Sequence, residues 1–256
     1  MLADLVAGAR ADAARRREDV PLARVESLAA DAPAPLDVFE HLRPAERVKI
    51  LAEVKRASPS RGSLAEIADP AALAAAYQAG GASAISVLTE GRRFLGSLDD
   101  LRAVRAAVSV PVLRKDFLVE EYQLLEARAA GADLVLLIVS ALDQPTLRRL
   151  FDFAGSLGMA TLVETHDADE VARALDIGAH IVGVNARDLS TFELDQDLFG
   201  RLADSIPAGV IRVAESAVRT AADVAHYRRA GADVVLVGEA LVTGDPARTL
   251  QEFLAS

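Results

Sequence analysis

The stretch Leu51-Ala-Glu-Val-Lys55 ends an apolar run in a carboxylate and an ammonium, Glu53 and Lys55, two residues apart. An extended strand sends alternate side chains to opposite faces, so Leu51, Glu53 and Lys55 share one face while Ile50, Ala52 and Val54 share the other. Burying two such groups costs several kcal/mol each before their attraction is counted, which points to a ligand site; the alternative is a structural ion pair near a loop mouth. The pattern recurs along the chain. Leu113, Lys115 and Phe117 lie on one face of a third run, and Leu162 and Glu164 share a face of a fifth. A sixth run ends in Asn185 followed by Arg187, and a seventh ends in Glu215-Ser216. If these faces converge, the resulting pocket can keep one lysine protonated as a general acid and one carboxylate ionised as a base. The segments Glu215-Ser216-Ala217-Val218 and Val237-Gly238-Glu239-Ala240 supply a second signal. Gly238 allows main chain to approach a phosphate closely, and Lys55 is a charged partner for it.

These groups need elements that bring strand ends together. From about residue 48 onward the chain repeats a short β-rich run, a polar break and an Ala-rich helical pattern. Eight runs are counted, at 50–55, 84–89, 110–115, 133–139, 161–165, 181–186, 211–216 and 233–238. Each gap has room for a crossover helix, which makes neighbouring strands parallel. Several helices close on the same punctuation, as in Ala130-Gly131-Ala132-Asp133 and Ala230-Gly231-Ala232-Asp233, where glycine supplies a left-handed cap. Eight βα units in this length predict a (β/α)8 TIM barrel over 49–256, an α/β fold whose strand C-termini build the active site. A doubly wound open sheet would have fewer strands and a Gly-rich first turn, and none follows residue 55. Residues 1–48 are expected to form an N-terminal helical extension of the same domain. Leu2, Leu5, Val6, Ala9 and Ala13 follow helical spacing, Pro33-Ala34-Pro35 interrupts the chain, and a second helical stretch lies around 37–42. The extension is expected to pack on the barrel and help cover one end.

Composition removes other classes. At 256 residues and 52% hydrophobic, with 4% aromatic residues and no Trp, the chain has the Ala, Val and Leu vocabulary of buried parallel strands. A formal charge of -10 argues against nucleic acid and anionic membranes as partners while allowing a local basic pocket for a phosphorylated metabolite. The absence of cysteine excludes disulfides, thiolate catalysis and Cys-ligated zinc. No apolar segment has the length of a membrane span, and Arg15-Arg16-Arg17 is followed by no signal-like apolar run, so a soluble cytoplasmic protein is expected. His41, His166, His180 and His226 lack metal-ligand spacing and are expected to be structural or surface residues; no metal is expected. The Arg15–Arg17 run reads as a solvated helix face, and Tyr77, Tyr122 and Tyr227 as packing residues.

The series AEVKRASPSRG (52–62), LTEGRRFLGSLDDL (88–101), PVLRKDF (111–117), LVET (162–165), GVNARDL (183–189), AES (214–216) and VLVGEALV (235–242) resembles the indole-3-glycerol phosphate synthase family, in order and spacing, from about residue 36 to the end. The resemblance implies a (β/α)8 barrel with a helical extension, working without metal or organic cofactor in tryptophan biosynthesis. Its substrate would be 1-(2-carboxyphenylamino)-1-deoxyribulose 5-phosphate. It further implies Lys115 as the general acid of ring closure and Glu164 as a base or cation-stabilising carboxylate. Glu53 and Lys55 would assist dehydration, Asn185 and Glu215 would orient hydroxyls and charges, and Arg187 would hold the cluster. Ser58, Pro59, Phe94, Phe117, Leu136 and Leu162 resemble the family's apolar anthranilate pocket. Ser216, Ala217, Gly238 and Glu239, with Lys55, fall where the family holds phosphate.

The chain departs from the family pattern twice, with Ala217 where glycine is usual and Thr165 where a hydrophobic residue often follows the glutamate. Two other readings remain open from the residues alone. A strand-end lysine also suits a Schiff-base aldolase acting on a sugar phosphate. A barrel that binds a phosphorylated metabolite without turning it over is the other.

Overall fold

The computed structural model describes the chain except Met1, Pro59, Ser60, Arg61, Ala65, Glu66, Leu189, Ser190, Phe192, Thr243 and the side chain of Ser63. Among the described residues eight parallel strands close into a barrel: β1 (Lys49–Val54), β2 (Ala84–Leu88), β3 (Val112–Lys115), β4 (Leu134–Ile138), β5 (Ala160–Thr165), β6 (Ile181–Asn185), β7 (Ile211–Glu215) and β8 (Val234–Val237). Leu51 of β1 pairs with Ala84 of β2 on one side and Leu236 of β8 on the other, which closes the ring. The ends differ slightly from the expected runs. Proline has no N–H for the ladder, so β3 starts after Pro111, and Val139 leaves β4 for a turn of 3-10 helix.

Alternation of side chains divides the apolar residues into two shells. Ile50, Ala52, Ile85, Val135, Val163 and Val182 face outward and pack against the helices. Leu51, Leu113, Leu134, Leu162, Ile211 and Leu236 face inward and fill the barrel. The intervening helices are α4 (Pro70–Ala79), α5 (Leu98–Ala107), α6 (Glu121–Ala129), α7 (Gln144–Ser156), α8 (Ala168–Asp176), α9 (Leu198–Ala203), α10 (Ala221–Arg229), α11 (Glu239–Val242) and α12 (Pro246–Leu254). Asp69, Ser97, Asp143, Asp167 and Asp245 cap α4, α5, α7, α8 and α12 by accepting from a backbone N–H three residues on. Gly131 (φ 86°) and Gly231 (φ 94°) adopt the expected left-handed turn between helix and next strand.

Ahead of the barrel lie three helices, α1 (Leu2–Asp19), α2 (Leu22–Asp31) and α3 (Val38–Leu42), the second of them not expected from spacing. Pro21 sits at the N-cap of α2, where its missing N–H costs nothing, and so the first helical pattern is split in two. Rather than covering one end, these helices reach both. Leu5 and Ala9 of α1 join the inner cluster beside Phe117 and Leu136 at the strand C-termini. At the opposite end, Phe39 of α3 contacts the ring of His180, which immediately precedes β6, and the Leu36 N–H donates to Asp133 just before β4.

The Arg15–Arg17 run is not simply solvated. Arg16 donates two bonds to Glu126 on α6, of 2.6 and 2.8 Å, and the Arg17 guanidinium lies 4.8 Å from the centroid of the Tyr122 ring. Glu126 in turn lies 3.5 Å from Arg114, which is wholly buried on the outer face of β3. Arg114 donates to Thr89 Oγ1, the Gln123 carbonyl and Asp116 Oδ2, while Asp116 Oδ1 accepts the Phe117 N–H. The alternating pair Arg114 and Asp116 therefore pins the outer side of the segment that sends Lys115 and Phe117 inward. Removing one partner of such a buried network leaves uncompensated charge, worth about 3–5 kcal/mol. Arg114→Met is expected to lower unfolding stability by that order in urea titration, and a loss under about 1 kcal/mol would show that the network contributes little.

Candidate active site

Most of the strand-end groups singled out in the sequence project toward one cavity at the C-terminal mouth of the barrel. Glu53, Lys55, Ser58, Phe94, Lys115, Phe117, Leu136, Glu164, Asn185, Arg187, Ser216, Ala217, Gly238 and Glu239 all line it. Three expected residues do not. Glu215 is buried off the cavity wall, against the Lys115 ammonium. Leu162 lies one layer deeper than Glu164 on the same face of β5 and is packed into the inner cluster, and Pro59 falls outside the described residues.

Lys115 stands at the centre of the charges. Its Nζ is 2.6 Å from Glu215 Oε2 and 3.6 Å from Glu164 Oε2. Burial opposes the ammonium, but the charges of Glu215, Glu164 and Glu53 outweigh it and hold Lys115 well above the ordinary lysine range. Glu164 feels burial in the other direction, yet Lys115, His166 and Asn185 together lower it to about 2. Burial and the neighbouring charge of Glu164 push Glu215 up to about 7 against the pull of Lys115. The cluster thus holds one firmly protonated lysine, one firmly ionised carboxylate and one carboxyl group poised near neutrality.

A second ion pair sits beside this one, with Lys55 Nζ 2.5 Å from Glu53 Oε2. Gly238 is what makes room for it: a Cβ there would lie 2.5 Å from Glu53 Oε2 and 3.2 Å from Lys55 Nζ. Gly183 does the same for Glu215, whose Oε1 would be 2.1 Å from a Cβ at that position. That oxygen is buried and has no hydrogen-bond partner among the described residues, so the site holds an open acceptor. Asn185 joins the strands by donating to Glu164 Oε1 at 3.1 Å and accepting through Oδ1 from the Ser216 hydroxyl and the Arg187 N–H. Thr165, the polar residue after Glu164, is fully buried and donates to the Gly183 carbonyl at 2.8 Å.

Phe94 and Phe117, with ring centroids 6.3 Å apart, form an apolar wall with Leu136. Leu5, Ile138 and Arg219 also line the cavity and were not singled out. Nothing in local spacing marks Leu5, which arrives from the extension, whereas Ile138 carried a usable signal as the inward residue two places after Leu136. His166 was set aside as structural, yet its Nε2 lies 3.3 Å from Glu164 Oε1. A histidine two residues beyond a strand-end glutamate was the missed clue.

Comparison with known proteins gives one consistent result. Residues 2–253 match the family model described as indole-3-glycerol phosphate synthase. The chain is 69% identical to the indole-3-glycerol phosphate synthase of Leifsonia xyli subsp. xyli, over 99% of this chain and 97% of that protein. It is 59% identical to the enzyme of that name from Mycolicibacterium gilvum, over 100% and 94% of the two chains. Among solved structures, thiamine phosphate pyrophosphorylase from Pyrococcus furiosus superposes with a TM-score of 0.62 at 14% identity, over 80% of this chain and 93% of that one. At that identity the likeness speaks for the barrel alone.

Among the described residues, the turn after β7 is the one place where non-glycine residues adopt consecutive left-handed conformations. Ser216 has φ 70° and Ala217 φ 58°, each at a cost of roughly 1–2 kcal/mol. Bonds from the Ser216 hydroxyl to Asn185 and from the Tyr227 hydroxyl to the Ser216 carbonyl hold the turn. Glycine at 217 would relieve its share of the strain but loosen the unfolded chain, so the two effects oppose. Ala217→Gly is expected to change stability by no more than about 1 kcal/mol in denaturant titration, and a loss above about twice that would mean the methyl group makes an essential contact.

Proposed function

Because the chain belongs to the indole-3-glycerol phosphate synthase family, we propose that its mouth cluster performs the family reaction with Lys115 as proton donor and Glu164 as the carboxylate that meets developing positive charge. The activity is that of a carbon-carbon lyase of tryptophan biosynthesis, acting on a small phosphorylated substrate. The observation that carries the assignment of roles is the contact of one lysine with two carboxylates of opposite tendency.

The reaction on 1-(2-carboxyphenylamino)-1-deoxyribulose 5-phosphate runs in three steps. The ring carbon bearing the carboxylate bonds to the ketone carbon, and the ketone oxygen takes a proton to become a hydroxyl. The carboxylate then leaves as carbon dioxide, returning its bonding pair to the ring. Finally the hydroxyl leaves as water with a proton from the adjacent carbon. Lys115 has three N–H groups and two carboxylate neighbours, so one N–H remains for the ketone oxygen. A lysine held this firmly protonated is a slow acid until something weakens its neighbours. The cation formed on ring closure does so: it partly neutralises Glu164, and the proton on Lys115 becomes easier to give as the oxygen needs it. The same protonation makes Lys115 a poor nucleophile, which argues against the Schiff-base aldolase.

Glu53 and Lys55 form the second proton-handling pair and suit dehydration. Asn185 and Glu215 orient hydroxyls, and Arg187 braces Asn185 through its main-chain bond. Phe94, Phe117 and Leu136 take the anthranilate ring, with Ser58 at its edge. The phosphate is read as held by main-chain N–H groups of Ser216, Ala217, Gly238 and Glu239 with Lys55 nearby. The protein is read as a single cytoplasmic domain, 1–48 extending the barrel of 49–256, with neither nucleic acid nor membrane as partner. In support, the net charge is -10 and no described helix is long and apolar enough to cross a membrane.

The test is to add the carboxyanilino substrate to pure protein and follow indole fluorescence. Lys115→Met is expected to lower turnover on the order of 10²-fold or more with the fold intact. Glu164→Gln should depress kcat more than it raises KM, because its charge counts most when the cation forms. Activity of Lys115→Met within a few-fold of wild type would sink the proposed roles.

A further inference from the structure

We propose that His166 is a positioning residue for this reaction, an imidazolium strung between Glu170 and Glu164 that occupies one oxygen of Glu164 and leaves the other as its reacting face. The inference rests on the reading of Glu164 as the carboxylate that meets the cationic intermediate.

His166 sits just past β5 and does not line the cavity, so it acts from behind Glu164. Its Nδ1 is 3.0 Å from Glu170 Oε2, and the same oxygen accepts the His166 N–H at 2.8 Å, which fixes the ring to the first turn of α8. Its Nε2 is 3.3 Å from Glu164 Oε1. The ring therefore presents a carboxylate to each nitrogen. A neutral imidazole has one N–H and one lone pair, and the lone pair would face an anion; only the cation offers a proton to both. Nε2 is buried and makes no well-aligned bond in the free protein, so the ion pair is a contact that a small swing of either side chain completes.

Its effect on Glu164 follows from which oxygen is used. Oε1 already accepts from Asn185 Nδ2 at 3.1 Å and meets His166 as well, whereas Oε2 faces Lys115 at 3.6 Å. One oxygen is thus saturated by the protein, and the other points along the Lys115 side. The ring also balances charge: Glu53, Glu164 and Glu215 converge against Lys55 and Lys115, and His166 supplies a third cation. Glu164 from β5 and Glu170 from α8 face the ring directly, with Asn185 from β6 and Lys115 from β3 beyond the Glu164 carboxylate. Burial works against the imidazolium, but the contacts with Glu164 and Glu170 outweigh it and raise the group to about 10. A group raised in this way adds stability fully below its unfolded value near 6.5 and loses it as pH rises through about 10, so the device is intact at neutral pH.

Two measurements on the full chain test this. In the wild-type protein, nitrogen NMR of the four histidines should show both ring nitrogens of His166 protonated at pH 7 and 8, and Glu170→Gln should lower its titration midpoint by about one unit or more. In turnover assays, His166→Gln, which keeps a neutral donor, should lower kcat on the order of 10-fold with KM within about threefold, and should move the acidic limb of the kcat profile to higher pH. The limb moves that way because losing a neighbouring cation makes Glu164 easier to protonate. A neutral His166 at pH 7 would overturn the proposal, as would a His166→Gln enzyme whose kcat and acidic limb match wild type or whose only change is in KM. Failure of the wild-type protein to form indole would instead overturn the parent reading, while the NMR arm would still decide the charge of His166.

Discussion

The contact between the Lys115 ammonium and the carboxylates of Glu215 and Glu164 is the constraint around which the barrel mouth is organised. The two carboxylates are deeply buried and the lysine is partly so, and each would be costly alone. Together they form a cluster whose members set one another's protonation: the lysine stays charged, Glu164 stays ionised, and Glu215 hovers near neutrality. Moving these groups beyond about 6 Å of one another would let burial decide each state singly.

Holding three strand ends in that relation falls to groups on the far side of the sheet. Arg114 and Asp116 flank Lys115 in sequence but face outward, into a network running through Thr89, Gln123 and Glu126 to Arg16 of the extension. The N-terminal helix is therefore connected to the strand end that carries Lys115 twice: through this outer network, and through Leu5 at the cavity wall. Asn185 does corresponding work across β5, β6 and the turn after β7, linking Glu164 to Ser216. Glycines at 183 and 238 complete the arrangement by omission, since a methyl group at either would occupy the space of the Glu215 or Glu53 carboxylate.

The left-handed pair at Ser216 and Ala217 places backbone strain on the cavity wall. Hydrogen bonds from the Ser216 hydroxyl and to its carbonyl secure the turn. Alanine where glycine is usual is tolerated because the neighbouring bonds carry the conformation.

Much of this was legible in the chain before any coordinates. Period-two alternation in eight apolar runs, crossover-length gaps and recurrent glycine caps dictate a closed parallel barrel, and in such a barrel Glu53, Lys55, Lys115, Glu164, Asn185 and Glu215 must point inward at strand ends. Alternation also separates the inward Lys115 from the outward Arg114. What alternation cannot express is distance between strands, depth within the barrel, or contact between parts far apart in sequence. Hence the N-terminal helices reach both ends rather than one, Leu162 lies beneath the cavity rather than on its wall, and Arg16 is tied to Glu126 across 110 residues. For the same reason His166 passed as structural: its meaning lies in having a carboxylate at each ring nitrogen, one contributed by a strand and one by the following helix. Sequence determined which side chains face the barrel interior, because strand geometry is local. Only the tertiary structure decided which of them share a proton, because electrostatic coupling depends on separations of a few ångströms that closure of the barrel creates.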